Sequence, residues 1–172
     1  MVRDSLRHCV RLMMLPLMVL GLVTGFAMTA KAETEFSAKI KEAMVSMKDK
    51  AAKVGEPKVD GSSLFFGTTR MNGNYELVDS LKAEFGCTAT FFVKKEDCFI
   101  RVSTNVIKNG NRAVGTPLDP KGAAIAAIKN DTAFYGIVDI LGSQYDTGYE
   151  PIKNAAGEII GVYYIGYPLA KL

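Results

Sequence analysis

Histidine is almost absent from this sequence. The single histidine among 172 residues is His8, inside an N-terminal segment that we expect to be removed. A chain without histidine cannot form a Ser-His-Asp triad, a Cys-His nucleophile pair or an imidazole-ligated zinc site. Carboxylates also carry out acid–base chemistry, but those that stand out show no spacing typical of a catalytic pair: Asp119, Asp139, Asp146 and Glu150. We read them as turn and surface residues, and predict a protein that is not an enzyme and holds no metal or cofactor.

Cysteine is scarce as well, with three residues and no CxxC pair. Cys9 lies in the N-terminal segment, which leaves Cys87 and Cys98. An oxidising compartment favours a disulfide between these two. A hairpin that turns at residues 94–97 would instead set Cys98 beside Val93 and carry Cys87 out of disulfide reach. Both alternatives stay open on the sequence.

The chain also lacks an excess of basic charge in its main part. Four of the 21 basic residues and one of the 18 acidic residues lie in residues 1–32, so the rest of the chain carries 17 of each. This balance removes the basic footprint that binding to a phosphate backbone needs. There is no phosphate-binding glycine loop, calcium loop or internal repeat. We therefore predict no nucleic-acid partner.

Residues 1–32 resemble a secretory signal. Arg3, Arg7 and Arg11 form a basic start, an apolar run covers residues 12–28, and small residues follow at Ala30 and Ala32. We predict cleavage after Ala32, which leaves residues 33–172 as one exported, periplasmic domain. The alternative is a retained N-terminal membrane anchor, because the apolar run is nearly long enough to span a bilayer.

Two amphipathic helices are predicted in the first half of the chain. Apolar residues recur every three or four positions over residues 33–54, and Gly55 and Pro57 then end the pattern. Residues 62–66 favour a short strand, and residues 67–74 a loop. A second apolar stripe over residues 75–85 ends at Gly86.

Strands dominate the rest of the chain. Segments 88–93 and 98–104 are predicted to pair antiparallel, with Ile100, Val102 and Thr104 on one face and Phe99, Arg101 and Ser103 on the other. A short helix is predicted over residues 120–129 and three further strands over residues 133–141, 144–152 and 158–167. The last strand is apolar on both faces, with Ile159, Tyr163 and Ile165 on one and Ile160, Val162 and Tyr164 on the other, so we expect it to be central and covered twice.

The cover opposite the first helix is where we expect a cavity. Tyr145, Thr147 and Tyr149 share one strand face, and Tyr135 lies with Asp139 on the strand before. Converging tyrosines are typical of a small-ligand pocket, although they also pack ordinary cores. The alternation of side chains, taken alone, favours Arg101 as a residue on a solvated face of the sheet. The alternative interpretation is functional: its guanidinium binds a carboxylate.

Five stretches carry a family resemblance: FIRVSTNV (99–106), GNRAVGTPLD (110–119), FYGIVDILG (134–142), YDTGYEPI (145–152) and GEIIGVYYIG (157–166). In this order and spacing they resemble a single Cache domain of the Cache-3/Cache-2 fusion type, found in the extracytoplasmic parts of bacterial chemoreceptors and sensor kinases. The resemblance covers residues 33–167. It implies an α+β, PAS-like fold in which a long N-terminal helix packs on an antiparallel sheet of about five strands.

The resemblance also implies a ligand and its contacts. Members of this type are associated with small organic acids such as short-chain carboxylates. Within the matching stretches, the expected ligand-binding residues are Arg101, Arg112, Tyr135, Tyr145 and Tyr149, and the two arginines are expected to meet a carboxylate. The chain stops at Leu172, where a receptor would continue into an output module, so we expect it to report to a membrane-bound partner.

Two functional hypotheses follow from the sequence. In the first, the protein is an exported sensory module for a small organic acid. In the second, it is an interaction protein that pairs through its first helix with a second copy or with a membrane-bound sensor, without a ligand role.

Overall fold

The computed structural model describes residues 34–169. Its helices are α1 (Ser37–Val54), α2 (Glu76–Phe85) and α3 (Ala123–Lys129). Its strands are β1 (Pro57–Asp60), β2 (Ser63–Phe66), β3 (Thr69–Arg70), β4 (Thr88–Lys95), β5 (Cys98–Thr104), β6 (Ile107–Lys108), β7 (Asn111–Arg112), β8 (Phe134–Ile140), β9 (Ser143–Lys153) and β10 (Ile159–Pro168). The predicted signal segment, residues 1–32, and its cleavage site lie outside the described residues.

A five-stranded antiparallel sheet with the order β5-β4-β10-β9-β8 forms the centre of the fold. The last strand of the chain is its middle strand, as its two apolar faces predicted. The described residues also form a three-stranded sheet, β1-β2-β3, and a two-stranded hairpin, β6-β7. The α+β, PAS-like architecture expected from the resemblance is confirmed.

Each face of the large sheet covers a separate apolar core. Helices α1 and α2 pack on one face, where α1 buries Ile40, Met44 and Met47 against Phe91 and Tyr163 of the sheet. The opposite face packs against α3 and the loop before it, with Ile125 and Ile128 among its buried residues. We call these the helix face and the cavity face.

Glycine fixes the end of α1. Gly55 has a φ of 145°, and a Cβ there would lie 2.6 Å from the Cα of Gly67. No side chain fits such an approach, so the chain leaves α1 directly beside the end of β2.

Two irregularities move residues to faces that strict alternation does not predict. In β5, Phe91 pairs with Ser103 but Phe92 pairs with Arg101, which makes Val102 an extra residue. Arg101 therefore shares the cavity face with Thr104, and Ser103 turns to the helix face, which corrects the prediction for Ser103 and Thr104. Such a bulge places two residues of one strand opposite one of its partner.

The second irregularity lies at the start of β10. The register with β9 shifts between Ile159 and Gly161. Ile159 consequently packs with the cavity-face core and Ile160 with the helix-face core, the reverse of the prediction. The remaining residues of the strand follow the predicted alternation.

The β4–β5 hairpin is longer than predicted and keeps the two cysteines apart. Cys98 pairs with Lys95 rather than Val93, because a two-residue turn at Glu96 and Asp97 closes the hairpin and Glu96 adopts a φ of 52°. Cys87 lies at the other end of β4, roughly 25 Å away at the usual rise per strand residue. Both thiols are free, Cys87 buried and Cys98 exposed.

Strand β1 was not predicted. It pairs with β2 across a two-residue turn formed by Gly61 and Ser62, since Asp60 already pairs with Ser63. Glycine followed by serine is a hairpin turn pair, and it was the available signal.

Candidate functional site

A cavity of about 430 Å³ opens on the cavity face of the sheet. Its walls come from α3, from β8, from Tyr149 of β9 and from the loop at residues 117–119. Apolar residues of the walls include Leu118, Ala124, Phe134, Val138 and Ile140. Arg101 of β5 also lines it. A concave, mainly apolar space with a few polar groups is the usual form of a small-molecule site.

Arg101 is the buried cation of this cavity. The residue is 4% exposed, and its guanidinium lies 4.9 Å from the centre of the Phe92 ring. Nη1 donates a hydrogen bond of 2.7 Å to Oγ1 of Thr116 and a longer one of 3.5 Å to the carbonyl oxygen of Pro117. Nε is buried and, within residues 34–169, has no hydrogen-bond partner.

The charge of Arg101 also lacks an anionic partner inside the part of the chain that the structure describes. Burial lowers the pKa of the guanidinium from its ordinary value, although an arginine keeps its proton in proteins. A buried unpaired cation costs several kcal/mol. An anion that enters the cavity would meet a charge that is already desolvated and held in place.

Tyr149 stands beside this arginine. It is 1% exposed, and its ring centroid lies 5.0 Å from that of Tyr164. Burial raises the pKa of Tyr149, while the charge of Arg101 lowers it and that of Asp119 raises it. The hydroxyl stays protonated at neutral pH and makes no hydrogen bond to another described residue. It is therefore available as a donor to a ligand.

Arg112 is not brought to the cavity. Nη1 and Nη2 each donate a hydrogen bond of 2.8 Å to a carboxylate oxygen of Asp79, and the guanidinium lies 4.3 Å from the centre of the Tyr75 ring. Nη1 also donates to the carbonyl oxygen of Thr104 at 2.9 Å. The hydrogen bond with Asp79 raises the pKa of Arg112. The carboxylate that this arginine meets is one of the protein's own.

The predicted tyrosines divide between the two faces. Tyr145 packs, half-buried, with the cavity-face core. Tyr135 packs with the helix-face core, and its hydroxyl donates to Oε1 of Glu150 at 2.5 Å. The structure thus brings Arg101, Tyr149 and Tyr145 to one side of the sheet and places Tyr135 on the other.

The family of the chain follows from a match that covers most of its length. Residues 22–172 match the model of the Cache 3/Cache 2 fusion domain. The chain belongs to this family. Cache domains are extracytoplasmic sensory modules that bind small molecules and signal to receptor partners.

Other comparisons add little to the family match. No curated protein matches the chain. Among solved structures, a candidate transcriptional regulator from Rhodococcus sp. RHA1 is similar at 14% identity, with a TM-score of 0.43 and coverage of 72% of each chain. Within residues 34–169 of this Cache domain, no helix is long and apolar enough to cross a membrane.

Strand β9 connects the cavity of this Cache domain with α1. Tyr145 and Tyr149 face the cavity side, whereas Asp146, Gly148 and Glu150, at the alternate positions, face the helix side. Glu150 accepts a hydrogen bond of 2.7 Å from Nζ of Lys48 in α1, and Asp146 accepts one from the hydroxyl of Thr34. Neighbouring residues of one strand therefore touch the ligand cavity and the first helix.

Several residues around the cavity were not predicted as site residues. Thr116 and Phe92 hold the guanidinium, Tyr164 supports Tyr149, and Asp119 and Asp139 are among the lining residues. The two aspartates had been read as turn residues. Each does accept a backbone hydrogen bond in a turn. The turn pattern in the sequence therefore gave no indication that these two residues also line the cavity. Between residues 34 and 169, no group of three or more metal-ligating side chains lies close enough together to hold a metal ion.

Proposed function

We propose that this Cache domain binds a small organic acid, and that the ligand's carboxylate meets the guanidinium of Arg101 and the hydroxyl of Tyr149. Short-chain carboxylates are the first ligands to test. The observation that carries the proposal is the buried Nε of Arg101, which has no partner among the described residues. A carboxylate accepts hydrogen bonds from two guanidinium nitrogens at once, and it would supply the partner that Nε lacks.

The geometry around Arg101 supports an anionic ligand over a neutral one. The guanidinium is fixed by Thr116 on one side and by the Phe92 ring on another. A cation held in a poorly hydrated site attracts an anion more strongly than one in water. The neutral Tyr149 hydroxyl can donate a hydrogen bond to the anion's second oxygen.

Signal transfer to a partner is part of the same proposal. Ligand contact at Tyr149 would act on β9, whose next residue, Glu150, holds Lys48 of α1. We propose that α1 passes ligand occupancy to a membrane-bound sensor outside the cytoplasm. The protein is exported in this scheme, and it acts by binding and not by catalysis.

A thermal-shift series of acetate, propionate, butyrate and pentanoate tests the proposal. A ligand at one hundred times its dissociation constant adds about 2.7 kcal/mol of stability, which corresponds to roughly 10 °C in the melting temperature of a domain of this size. The substitution Arg101→Met should abolish the shift, and Arg101→Lys should retain part of it. Arg70→Met, at an exposed arginine of β3, is the matched control.

The proposal fails under either of two results. One is that no acid in the series, extended to hydroxy and keto acids, raises the melting temperature. The other is that Arg101→Met binds an acid as tightly as the unchanged protein does.

Pairing through α1 is the alternative function. The outer face of this helix exposes Val45 and Val54, at 59% and 41%. Scattered exposed valines are ordinary on a surface helix, so this face supports pairing less than Arg101 supports a ligand. Sedimentation of the Val45→Glu variant tests pairing without removing α1, which the helix-face core needs. If the unchanged protein and the Val45→Glu variant both sediment as monomers, pairing through α1 is ruled out.

A further inference from the structure

Two consecutive residues of the loop after β7 hold both the backbone and the side chain of Arg101. The backbone nitrogen of Arg101 donates a hydrogen bond of 3.0 Å to the carbonyl oxygen of Thr116, and that of Gly115 donates one of 2.9 Å to the carbonyl oxygen of Arg101. The side chain meets the same loop, because Nη1 donates to Oγ1 of Thr116 at 2.7 Å. Three polar groups of the arginine are therefore fixed by this pair of residues.

The bulge in β5 explains why the backbone of Arg101 needs such partners. A bulge disrupts the hydrogen-bond ladder of its strand, and buried backbone groups must then find partners elsewhere. The carbonyl oxygen of Arg101 finds Gly115, and that of Val102 accepts a hydrogen bond of 2.8 Å from the backbone nitrogen of Gly73. Gly115 and Gly73 have φ values of 79° and 75°, a conformation that other residues rarely adopt. The bulge is thus held from outside the sheet by two glycines.

The hydroxyl of Thr116 is itself oriented by the backbone. It donates its hydrogen to the carbonyl oxygen of Ala113 at 2.7 Å, and a hydroxyl has only one hydrogen to donate. Towards Arg101 it therefore acts as an acceptor and keeps Nη1 on the loop. Within residues 34–169, neither Nε nor Nη2 of Arg101 donates a hydrogen bond. Nε and Nη2 form one edge of the planar guanidinium, and such an edge binds both oxygens of a carboxylate.

We propose that Gly115 and Thr116 are positioning residues of the anion site and act through Arg101. Thr116 occupies Nη1 and leaves the edge formed by Nε and Nη2 to the ligand's carboxylate. Gly115 keeps the backbone of Arg101 in the bulge that turns its side chain to the cavity. Neither residue is among those that line the cavity. This inference rests on the proposed function and adds the residues that set the geometry of its arginine.

Two substitutions of Thr116 separate its hydroxyl from its shape. Propionate and butyrate are the probes, and isothermal titration measures their affinities. Thr116→Val keeps the branched shape but offers Nη1 no acceptor, so both affinities should fall about three- to tenfold, the range for one lost hydrogen bond. Thr116→Ser keeps the hydroxyl, so it should bind both acids within about twofold of the unchanged protein.

Gly115→Val has a matched control in Gly110→Val. Both glycines have a φ of 79°, and a Cβ at either position meets no atom beyond its chain neighbours within 4 Å. Valine is strained in this conformation, so both variants should lose a similar amount of stability in urea denaturation. Gly110 lies in the turn between β6 and β7 and makes no hydrogen bond with Arg101. Only Gly115→Val should therefore weaken the binding of propionate and butyrate, by about threefold or more.

The outcomes separate this inference from the proposed function. If an acid binds and depends on Arg101, but Thr116→Val and Gly115→Val bind it as tightly as the unchanged protein, the proposed function stands and the inference is overturned. If Thr116→Ser binds as weakly as Thr116→Val, the role of the hydroxyl is overturned. If Gly110→Val weakens binding as much as Gly115→Val does, the role of Gly115 is overturned. If neither acid binds, and Arg101→Met changes nothing in the acid series, the proposed function itself fails.

Discussion

The same substitution at two arginines should change stability in opposite directions. Arg101→Met removes a buried cation that has no anionic partner among the described residues. Two contacts offset part of the cost of burying this charge: a hydrogen bond to Thr116 and the stacking of the guanidinium on the Phe92 ring. The Thr116 hydroxyl also donates to the carbonyl oxygen of Ala113 at 2.7 Å, so it stays bonded after the substitution. Methionine fills a similar length without charge.

We expect Arg101→Met to raise the free energy of unfolding of the ligand-free protein by about 1–2 kcal/mol, the lower part of the gain seen when buried ionic groups are replaced by apolar ones. Arg112→Met breaks an exposed bidentate pair with Asp79 and a stack on Tyr75. We expect it to lower stability by about 0.5–1 kcal/mol. Urea denaturation of the ligand-free proteins measures both values.

A loss of more than about 1 kcal/mol in Arg101→Met would refute this reasoning. It would mean that Thr116 and Phe92 satisfy the guanidinium, and the argument for an anionic ligand would lose its basis. The Arg112 variant controls for effects of the methionine itself.

Three further predictions concern single side chains. Tyr149→Phe removes the hydroxyl donor but keeps the ring, so acid affinity in titration calorimetry should fall about two- to tenfold; an unchanged affinity would remove Tyr149 from the site. Gly148→Ala places a Cβ 2.8 Å from Cγ2 of Ile40 and should cost about 1–3 kcal/mol in urea denaturation, whereas full stability would mean that α1 is not seated on β9. Burial raises the pKa of Cys87 to about 11, so of the two cysteines in residues 34–169 iodoacetamide near pH 8 should label Cys98 and leave Cys87 unlabelled. The stability contributed by the neutral Cys87 thiol should be present below pH 9 and lost as pH rises towards 11, and Cys87→Ala should flatten that slope.

The order of the elements was predictable because it depends on local patterns. Apolar spacing gave α1 and α2, and the two apolar faces of β10 predicted a central strand. Single-residue irregularities were not predictable, because strict alternation places Ser103 and Thr104 one face away from where the bulge at Val102 leaves them. The energy that selects a bulge comes from packing on both faces at once, which no local pattern contains.

The candidate site was predictable only in part. Arg101 and Arg112 lie in equally typical family stretches, yet one meets the cavity and the other meets Asp79. The difference depends on α2, whose first turn brings a carboxylate to Arg112 from 33 residues earlier in the chain. Partners at such sequence distances cannot be derived from spacing. The same holds for Tyr135, whose face is set by the pairing of β8 with β9.

The bulge in β5 shows that the register of a strand, as well as the identity of its residues, decides on which side of the sheet this protein keeps its charge. If Val102 were paired in the ladder, and the pairing of Thr90 with Thr104 were kept, Arg101 would lie opposite Val93 and point into the helix-face core. Loss of the bulge, with every residue retained, would therefore move a cation from one face of the sheet to the other. Related chains that keep the arginine and the strand length but lack the bulge would hold no cation in the cavity.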